Sequence, residues 1–366
     1  MKVALAYDYL NQLGGGERVL RVLCDMFPQA PIYTILYDPI KTGQLFADRK
    51  IVTSFLDFSA VHRYHRWFIP LMPLAAQSIS LRHQYDLIIS AGASYGKGIS
   101  YDALRTRHIH YCYTPLRYAW EPDFLELRIK NYELRKAVKP LLYLLRNWDY
   151  KMAQKPDVIL ADSKYIAAKI EKYYGRRAQV LYPPLDGKRF FFDPKIKKGD
   201  YFLAVGRLVH YKRFDLIVEA FNRLKWPLKI AGSGPEKNNL KKTFRSSQIE
   251  MVDYVSDDNL RQLYAGARSL IFPQEEDFGL TAVEAQACGT PVIALGRGGA
   301  LETVVEGETG IFFKDQSVDG LVGALIRFNE EEKKFNSQDI AKWANRFSLQ
   351  SFKNVLESSI LSCQSI

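Results

Sequence analysis

Two glutamates stand at a spacing that could hold both ends of one small molecule. Glu276 and Glu284 lie in a segment where an apolar run ends at Phe272, a carboxylate-rich turn follows and a helix is predicted to begin near Gly279. Eight residues at helical rise span about 12 Å, roughly the length from the hexose to the ribose of a sugar nucleotide. The unpaired amides of a helix start favour an anion such as a pyrophosphate. One carboxylate could therefore bind sugar hydroxyls and the other a ribose.

A pair of cations follows an earlier apolar run. Arg207 and Lys212 lie in the loop directly after residues 201–205. Two fixed cations beside a leaving diphosphate stabilise the charge that develops when a glycosidic bond breaks. They could replace the metal ion that an Asp-x-Asp motif would hold, and the chain contains no such motif. We therefore expect no metal ion and no other cofactor at this site.

Glycine-rich turns follow two further apolar runs. Gly15 and Gly16 belong to a glycine triplet after the first run, and Gly232 belongs to a Gly-Ser-Gly-Pro turn in the second half. Glycine lets the backbone approach a ligand closely at the carboxyl edge of a parallel sheet. The chain lacks the Gly-x-Gly-x-x-Gly motif of a nicotinamide binder, which argues against a dehydrogenase.

Together these motifs resemble those of the family 4 retaining glycosyltransferases. The resemblance is most specific in residues 272–294, where both glutamates stand in a Phe-Gly-Leu…Glu-Ala…Ala-Cys-Gly-Thr-Pro-Val-Ile-Ala frame. Residues 108–121 are similar to a stretch of the mannosyltransferase-like branch that builds bacterial surface polysaccharides. Where that branch has a histidine that contacts the donor sugar, this chain has Tyr113, and His110 is the alternative candidate.

The resemblance implies a role for each matching residue. Arg207 and Lys212 would hold the donor's β-phosphate and stabilise the leaving group, and Glu276 would bind the hexose, so these three are the predicted catalytic residues. Glu284 would bind the ribose, Tyr113 is a possible sugar contact, and the base would lie near Tyr254. The full predicted donor-binding set is Gly15, Gly16, Arg207, Lys212, Gly232, Glu276, Phe278, Gly279, Leu280, Thr281 and Glu284.

Strand-like and helix-like segments alternate in two series along the chain. The apolar runs of the first series are 3–7, 86–90, 109–112 and 157–161, and those of the second are 201–205, 228–231, 269–272 and 291–294. This pattern predicts two doubly wound α/β domains, and the resemblance implies the GT-B arrangement of two facing Rossmann-like domains with a cleft between them. We expect an acceptor-side domain over 1–185, a donor-binding domain over 186–345, and a helix in 346–366 that packs back toward the first domain.

Composition places the chain among ordinary folded proteins. Its 366 residues are 47% apolar and 25% charged, and no apolar run reaches the roughly 18 residues of a membrane-spanning helix. Residues 1–7 lack the layout of a signal peptide. The four cysteines are scattered, which argues against a disulfide framework or a zinc site. We expect a cytoplasmic location.

The first half of the chain is basic and predicts an anionic partner. Residues 1–183 hold 26 lysines and arginines against 16 aspartates and glutamates, whereas residues 184–366 hold 25 against 24. Within the basic half, residues 62–74 combine cations, aromatic residues and a short apolar run, and Arg82 and His83 follow. We expect peripheral contact with the inner face of the cytoplasmic membrane. The alternative is that residues 67–74 pack in the core of the first domain.

These observations predict a metal-independent enzyme that moves a hexose from a nucleotide-diphosphate sugar to a glycan or polyprenyl-pyrophosphate-linked acceptor. The resemblance implies retention of configuration and GDP-mannose as the first donor to test, with a UDP-sugar-dependent hexosyl- or N-acetylhexosaminyltransferase as the alternative. A sugar-nucleotide epimerase of the same fold is a further alternative. A nucleic-acid binder is disfavoured, because such a protein would need neither a phosphate cradle nor two carboxylates at donor spacing.

Overall fold

The computed structural model describes residues 1–81, 85–121, 132–252 and 255–364, and it divides into two compact units. Unit 1 consists of Met1–Leu181 together with Val355–Ile366, and unit 2 of Tyr182–Asn354. The boundary thus lies a few residues before the predicted limit at 185. The chain passes from one unit to the other twice, since the last helix begins in unit 2 and ends in unit 1.

Unit 1 contains a seven-stranded parallel sheet in the order β3-β2-β1-β4-β5-β6-β7. Its strands are β1 Val3–Tyr7, β2 Ile32–Thr34, β3 Ile51–Thr53, β4 Leu87–Gly92, β5 Arg107–Cys112, β6 Val158–Ala161 and β7 Gln179–Val180. Its helices are α1 Gly15–Met26, α2 Ser59–Tyr64, α3 Met72–Ser78, α4 Arg117–Trp120, α5 Tyr132–Ala153 and α6 Lys164–Tyr174, with 3₁₀ helices at His65–Leu71 and Gly96–Gly98. Every residue of β4 is buried, as expected for a central parallel strand.

Unit 2 contains a six-stranded parallel sheet in the order β10-β9-β8-β11-β12-β13. Its strands are β8 Phe202–Val205, β9 Leu228–Ala231, β10 Ile249–Val252, β11 Leu270–Phe272, β12 Val292–Leu295 and β13 Gly310–Phe313. The helices that begin in it are α7 Phe214–Leu224, α8 Lys237–Lys242, α9 Asp257–Gly266, α10 Leu280–Ala287, α11 Ala300–Thr303, α12 Val318–Glu331, α13 Ser337–Ala344 and α14 Leu349–Gln364, with 3₁₀ helices at His210–Lys212, Glu332–Lys334 and Asn345–Phe347.

Helices cover both faces of the unit 2 sheet. Successive residues of a strand point to opposite faces, and β8 shows the consequence. Phe202 packs against Phe221 of α7 and Phe328 of α12 on one face. Leu203 belongs to the core on the other face, together with Val283 of α10. The prediction of two doubly wound α/β domains is therefore confirmed.

In each sheet the strand order reverses at one strand, and the predicted site residues lie in loops near that strand. In unit 1 the reversal is at β1, which pairs with both β2 and β4. In unit 2 it is at β8, which pairs with both β9 and β11. Ligands of such sheets bind outside the carboxyl ends of the strands at this reversal. The loops that follow β8, β9 and β11, together with helix α10, carry the predicted donor-binding residues of unit 2.

Candidate active site

The structure brings Lys212 and Glu276 into direct contact. Lys212 ends the 3₁₀ helix after β8, Glu276 lies in the turn after β11, and Lys212 Nζ contacts Glu276 Oε1. Gln274 Nε2 donates a 3.3 Å hydrogen bond to the same oxygen. The two charged side chains are only 12% and 16% exposed. Two of the three predicted catalytic residues therefore share one site, and buried Gln274 joins them without any signal in the sequence pattern.

The loop that carries Arg207 is held against the Gly232 turn. Leu208 N donates to Ser233 O at 2.8 Å, and Gly206 N donates to Ala231 O at 3.1 Å. A Cβ atom on Gly232 would overlap the carbonyl oxygen of Gly206. Glycine is thus required here for the packing of two loops, whatever ligand binds beside them. Arg207 itself is exposed at this carboxyl edge.

The turn before α10 is also held by glycines. Gly279 caps the helix with a φ of +93°, and a Cβ atom there would lie 2.8 Å from Cζ of Phe272. Gly299 N donates to Glu276 O at 2.8 Å, and Cβ atoms on Gly298 or Gly299 would overlap the backbone of this turn. This glycine pair was not predicted, although its Gly-Arg-Gly-Gly sequence was a usable signal.

Three predicted donor contacts at this turn differ in what they can offer a ligand. The Phe278 ring is buried between Tyr182 and Phe347, with ring centroids 5.6 and 5.3 Å away, so its backbone is the part that could reach a ligand. Leu280 and Thr281 are half-buried at the helix start. Thr281 Oγ1 is enclosed and has no hydrogen-bond partner among the described residues, which leaves a hydroxyl available to a ligand.

Glu284 accepts a hydrogen bond from a buried tyrosine. Tyr264 of α9 donates its hydroxyl to Glu284 Oε2 at 3.0 Å, and its ring is fully buried. This bond fixes one oxygen of the half-buried carboxylate. Tyr264 was not predicted, because nothing in the spacing of α9 and α10 indicates which of their side chains meet.

In unit 1 the glycine loop packs on two tyrosines. A Cβ atom on Gly16 would lie 2.7 Å from the Tyr7 hydroxyl and 2.9 Å from the Tyr113 ring. The Tyr113 hydroxyl donates to Gly16 O at 3.2 Å, and the Tyr7 hydroxyl donates to Glu17 Oε1 at 3.2 Å. Burial raises the pKa of Tyr113 well above its ordinary value, and the nearby Glu17 carboxylate adds to the increase. Its phenol thus serves as a neutral donor to the loop backbone, and its contact with a donor sugar stays a prediction.

His110 lies in the core of unit 1. It is almost fully buried in β5, where its Nδ1 lies 2.9 Å from Ser90 Oγ, and the same hydroxyl lies 2.7 Å from His108 Nε2. Burial lowers the pKa of His110 well below its ordinary value, and the charge of Lys97 acts in the same direction. Because the His110 ring is buried and held neutral inside the sheet, Tyr113 is the better candidate for the sugar contact.

A buried ion pair lies in the same unit. Lys97 and Asp149 are both fully buried, with Nζ 2.6 Å from Oδ1. The other carboxylate oxygen of Asp149 accepts from Trp120 Nε1 at 2.8 Å and from the Tyr174 hydroxyl at 2.6 Å. Buried charges persist when they are paired and hydrogen-bonded in this way. This cluster joins α4, α5, α6 and the loop after β4, and no sequence motif indicated it.

Three further observations bear on the predictions. Tyr254, Arg82 and His83 lie outside the described residues. Within the described ranges, no group of three or more His, Cys, Asp or Glu residues is placed to hold a metal ion. In that same part of the chain, no helix combines the length and the apolar character that crossing a membrane requires.

Two family models match adjoining parts of the chain. Glycosyltransferase Family 4 matches residues 13–189, and Glycosyl transferases group 1 matches residues 187–343. An uncharacterized glycosyltransferase of Methanocaldococcus jannaschii is 29% identical over 206 residues, which are 52% of this chain and 56% of that protein. A GDP-mannose-dependent phosphatidylinositol monomannoside mannosyltransferase of Mycolicibacterium smegmatis is 27% identical over 206 residues, 48% of this chain and 53% of that protein. The chain spans about a third to a little over half the length of the curated relatives it matches.

Solved structures show the same fold. Anabaena HepE in complex with UDP has a TM-score of 0.73 at 17% identity, with 99% of this chain and all of that chain covered. HepE was also solved with UDP-glucose. The lipopolysaccharide outer core galactosyltransferase WaaB has a TM-score of 0.66 at 18% identity, covering 98% of this chain and all of that chain.

Proposed function

Because the chain belongs to the family 4 glycosyltransferases and has their GT-B fold, we propose that it transfers a hexose from a nucleotide-diphosphate sugar to an acceptor hydroxyl. The contact between Lys212 and Glu276 carries this proposal. It sets a cation suited to a diphosphate beside a carboxylate suited to sugar hydroxyls, at the carboxyl edge where such sheets bind ligands. The UDP-glucose complex of HepE supports a donor of this class.

In this proposal the donor lies along the start of α10. Lys212 and Arg207 bind the diphosphate, and Glu276 binds the hexose hydroxyls. Glu284 binds the ribose through the carboxylate oxygens that Tyr264 helps to orient. Thr281 Oγ1 supplies a further polar contact, since its hydroxyl is enclosed at the helix start.

We propose that the reaction retains the configuration of the donor sugar. The acceptor oxygen forms a bond to the anomeric carbon on the face from which the diphosphate departs, and the bond between that carbon and the diphosphate oxygen breaks. The acceptor's proton passes to the departing diphosphate. Lys212 and Arg207 stabilise the charge that develops there. Nuclear magnetic resonance of the product reports the anomeric configuration, and an inverted product would contradict this mechanism.

The proposed mechanism requires no metal ion, because the two cations supply the charge that a metal would. Transfer should therefore continue at the same rate in excess chelator. Loss of activity that magnesium or manganese restores would contradict the proposal.

GDP-mannose is the first donor to test, and UDP-sugars are the second. The mycolicibacterial relative is GDP-mannose-dependent by name, whereas HepE binds UDP-glucose. A ligand that binds the folded protein raises its stability, by about 2.7 kcal/mol at a hundredfold excess over its Kd. We expect GDP and GDP-mannose to raise the melting temperature more than UDP, UDP-glucose or ADP. A larger shift with the uridine compounds would make a UDP-sugar the preferred donor. The absence of a shift with every compound would contradict donor binding.

The acceptor we propose is a glycan or a polyprenyl-pyrophosphate-linked sugar of surface-polysaccharide synthesis, used on the cytoplasmic side of the membrane.

The second candidate function is a sugar-nucleotide epimerase, and mass spectrometry of the reaction products distinguishes it from a transferase. A transferase releases nucleoside diphosphate and adds a hexose to the acceptor. An epimerase leaves the mass of the donor unchanged.

A further inference from the structure

Four large side chains are exposed along one segment of unit 1. Tyr64, Trp67, Leu71 and Leu74 recur every three or four residues through the consecutive helices α2, the 3₁₀ helix 65–71 and α3. All four are exposed, with Trp67 at 81% and Leu74 at 58%. We call these four residues the outer stripe.

The opposite side of the same helices packs into the core of unit 1. Val61 and Met72 are buried in a cluster with Leu145 of α5, and Phe68 and Ile69 pack against that cluster. The alternative prediction that residues 67–74 pack in the core is therefore right for this inner side only. Since the inner side already anchors the helices, the fold does not need the outer stripe to be apolar.

The segment that carries the outer stripe is basic in sequence, and the aspartate nearest to it in the chain, Asp57, is paired with His62 of α2, with Oδ1 2.7 Å from Nε2. Residues 58–85 contain no aspartate or glutamate, while they contain three arginines. Arg63 is exposed, and its guanidinium lies 5.3 Å from the centre of the Tyr64 ring. Helix α5, whose inner side shares the core cluster, exposes Lys136, Lys139 and Tyr143. An apolar stripe bordered by cations is complementary to a partner that has an apolar interior and an anionic surface.

We propose that the outer stripe docks unit 1 onto the surface of an anionic lipid bilayer, with Trp67 and Leu74 entering the headgroup region. Tryptophan and tyrosine favour this region because their rings are both apolar and polar. Pro70 and Pro73 break the segment into short helices, which can lie along the surface. A second copy of the chain is a poorer occupant, because the basic borders of the two stripes would repel each other. The inference rests on the proposed function in that a lipid-linked acceptor is presented at such a surface.

Flotation with vesicles tests the docking. The wild-type protein should float with vesicles that contain phosphatidylglycerol at low salt, and should float poorly at high salt or with phosphatidylcholine alone. The double variant Trp67→Ser with Leu74→Ser should lower the bound fraction about tenfold, and Arg63→Glu should lower it less, because each basic residue adds on the order of 1 kcal/mol.

Leu104→Ser is the matched control, because Leu104 is 97% exposed in the same unit but lies outside the stripe. It should float like the wild type. Failure of the wild type to float, equal binding to both vesicle types, or full binding of the double variant would overturn the proposal. Dimers in analytical ultracentrifugation that the double variant abolishes would assign the stripe to a second copy instead.

Nucleotide binding separates this inference from the proposed function. The melting-temperature shift by GDP or UDP is measured on the same three variants and should match that of the wild type, which also shows that they fold. Vesicle binding without any nucleotide shift would leave the docking intact and contradict the proposed donor. A nucleotide shift without vesicle binding would leave the proposed donor intact and contradict the docking.

Discussion

At the scale of single residues, the central finding is that Lys212 and Glu276 neutralise each other. Both side chains are largely buried, so their electrostatic interaction is stronger than that of an exposed ion pair. In the proposed function, a donor draws the ammonium group toward its phosphate while its hydroxyls bind the carboxylate. That proposal predicts that the binding of the two ends of the donor is coupled through this one contact.

Replacing either member of the pair should greatly slow transfer. We expect Lys212→Met and Glu276→Gln each to lower kcat about 100- to 1000-fold, because each removes a group aimed at the charge or hydroxyls of the transition state. The double variant should lose less than the product of the two effects, since the residues interact directly. Initial-rate measurements give kcat for the single variants and for the double variant. Arg245→Ala, which removes an exposed cation of unit 2 outside the site, is the control, and a wild-type rate in a folded Lys212→Met protein would contradict the site.

Glu284 should affect donor binding more than the chemical step. Glu284→Ala removes the proposed ribose contact, and a lost hydrogen bond to a charged group costs about 1.5–3 kcal/mol, or roughly 10- to 100-fold in Kd. Tyr264→Phe keeps the carboxylate and removes only its orienting bond, so its effect on Kd should be smaller. Isothermal titration with the nucleoside diphosphate gives both values. An unchanged Kd in Glu284→Ala would remove the ribose role.

At the scale of elements, glycines let the loops of unit 2 touch. Gly232 meets Gly206, and Gly298 with Gly299 meets the turn that carries Glu276. These contacts join the loop after β8 to the loop after β9, and the turn after β11 to the loop after β12. The positions of Arg207 and Glu276 are therefore set by neighbouring backbone as much as by their own strands.

A methyl group at Gly232 should destabilise unit 2. Gly232→Ala would force the two loops apart, and overpacking of this kind costs about 1–3 kcal/mol. The matched control is Gly323→Ala in the middle of α12, where a Cβ atom meets nothing within 4 Å. That change should instead stabilise the protein by about 0.5–1 kcal/mol, because alanine favours a helix interior over glycine. Chemical denaturation measures both, and equal effects would contradict the packing role.

Much of the fold could be predicted because central parallel strands are continuous apolar runs. All eight predicted runs coincide with strands, from β1 and β4 to β12. The missed strands include β7, which has two residues, and β10, which carries a glutamate in Ile249–Val252. Both are edge strands, and strands with one neighbour carry a weaker apolar signal.

The candidate site was only partly predictable. Lys212 and Glu276 were assigned to one site, and their contact agrees with that interpretation. Tyr264 and Gln274 were not found, since each acts through a partner that only the packed loops and helices bring near. The Lys97–Asp149 pair was missed for the same reason, because its members are 52 positions apart and neither belongs to a motif.

At the scale of the whole molecule, two buried histidines link stability to pH. Burial lowers the pKa of His108 to about 3 and that of His110 well below its ordinary value. The unfolded chain binds a proton at each position below about pH 6.5, whereas the folded protein does not. Their contribution to stability is therefore complete above pH 6.5 and is lost as the pH falls from there toward 3.

The free energy of unfolding should consequently fall on acidification. Each histidine contributes a slope of about 1.4 kcal/mol per pH unit in this window. His110→Asn keeps a polar atom near Ser90 and removes the titrating ring, so the slope between pH 6 and 4 should decrease by about that amount. His210→Asn, which replaces an exposed histidine of unit 2, is the control. Urea denaturation across this pH range measures the slopes, and equal slopes in all three proteins would contradict the argument.

The double passage of the chain between the units affects the order in which they are completed on the ribosome. In most two-domain proteins the first domain folds as it emerges, before the second is made. Here unit 2 is one continuous stretch, while unit 1 needs residues 355–366, which emerge only after it. Ser359 donates to Gln179 of the edge strand β7, and Cys363 is fully buried. The nascent chain therefore contains all of its second unit before the first unit is complete, and the edge of the first sheet gains its contacts only when the helix Leu349–Gln364 has been made.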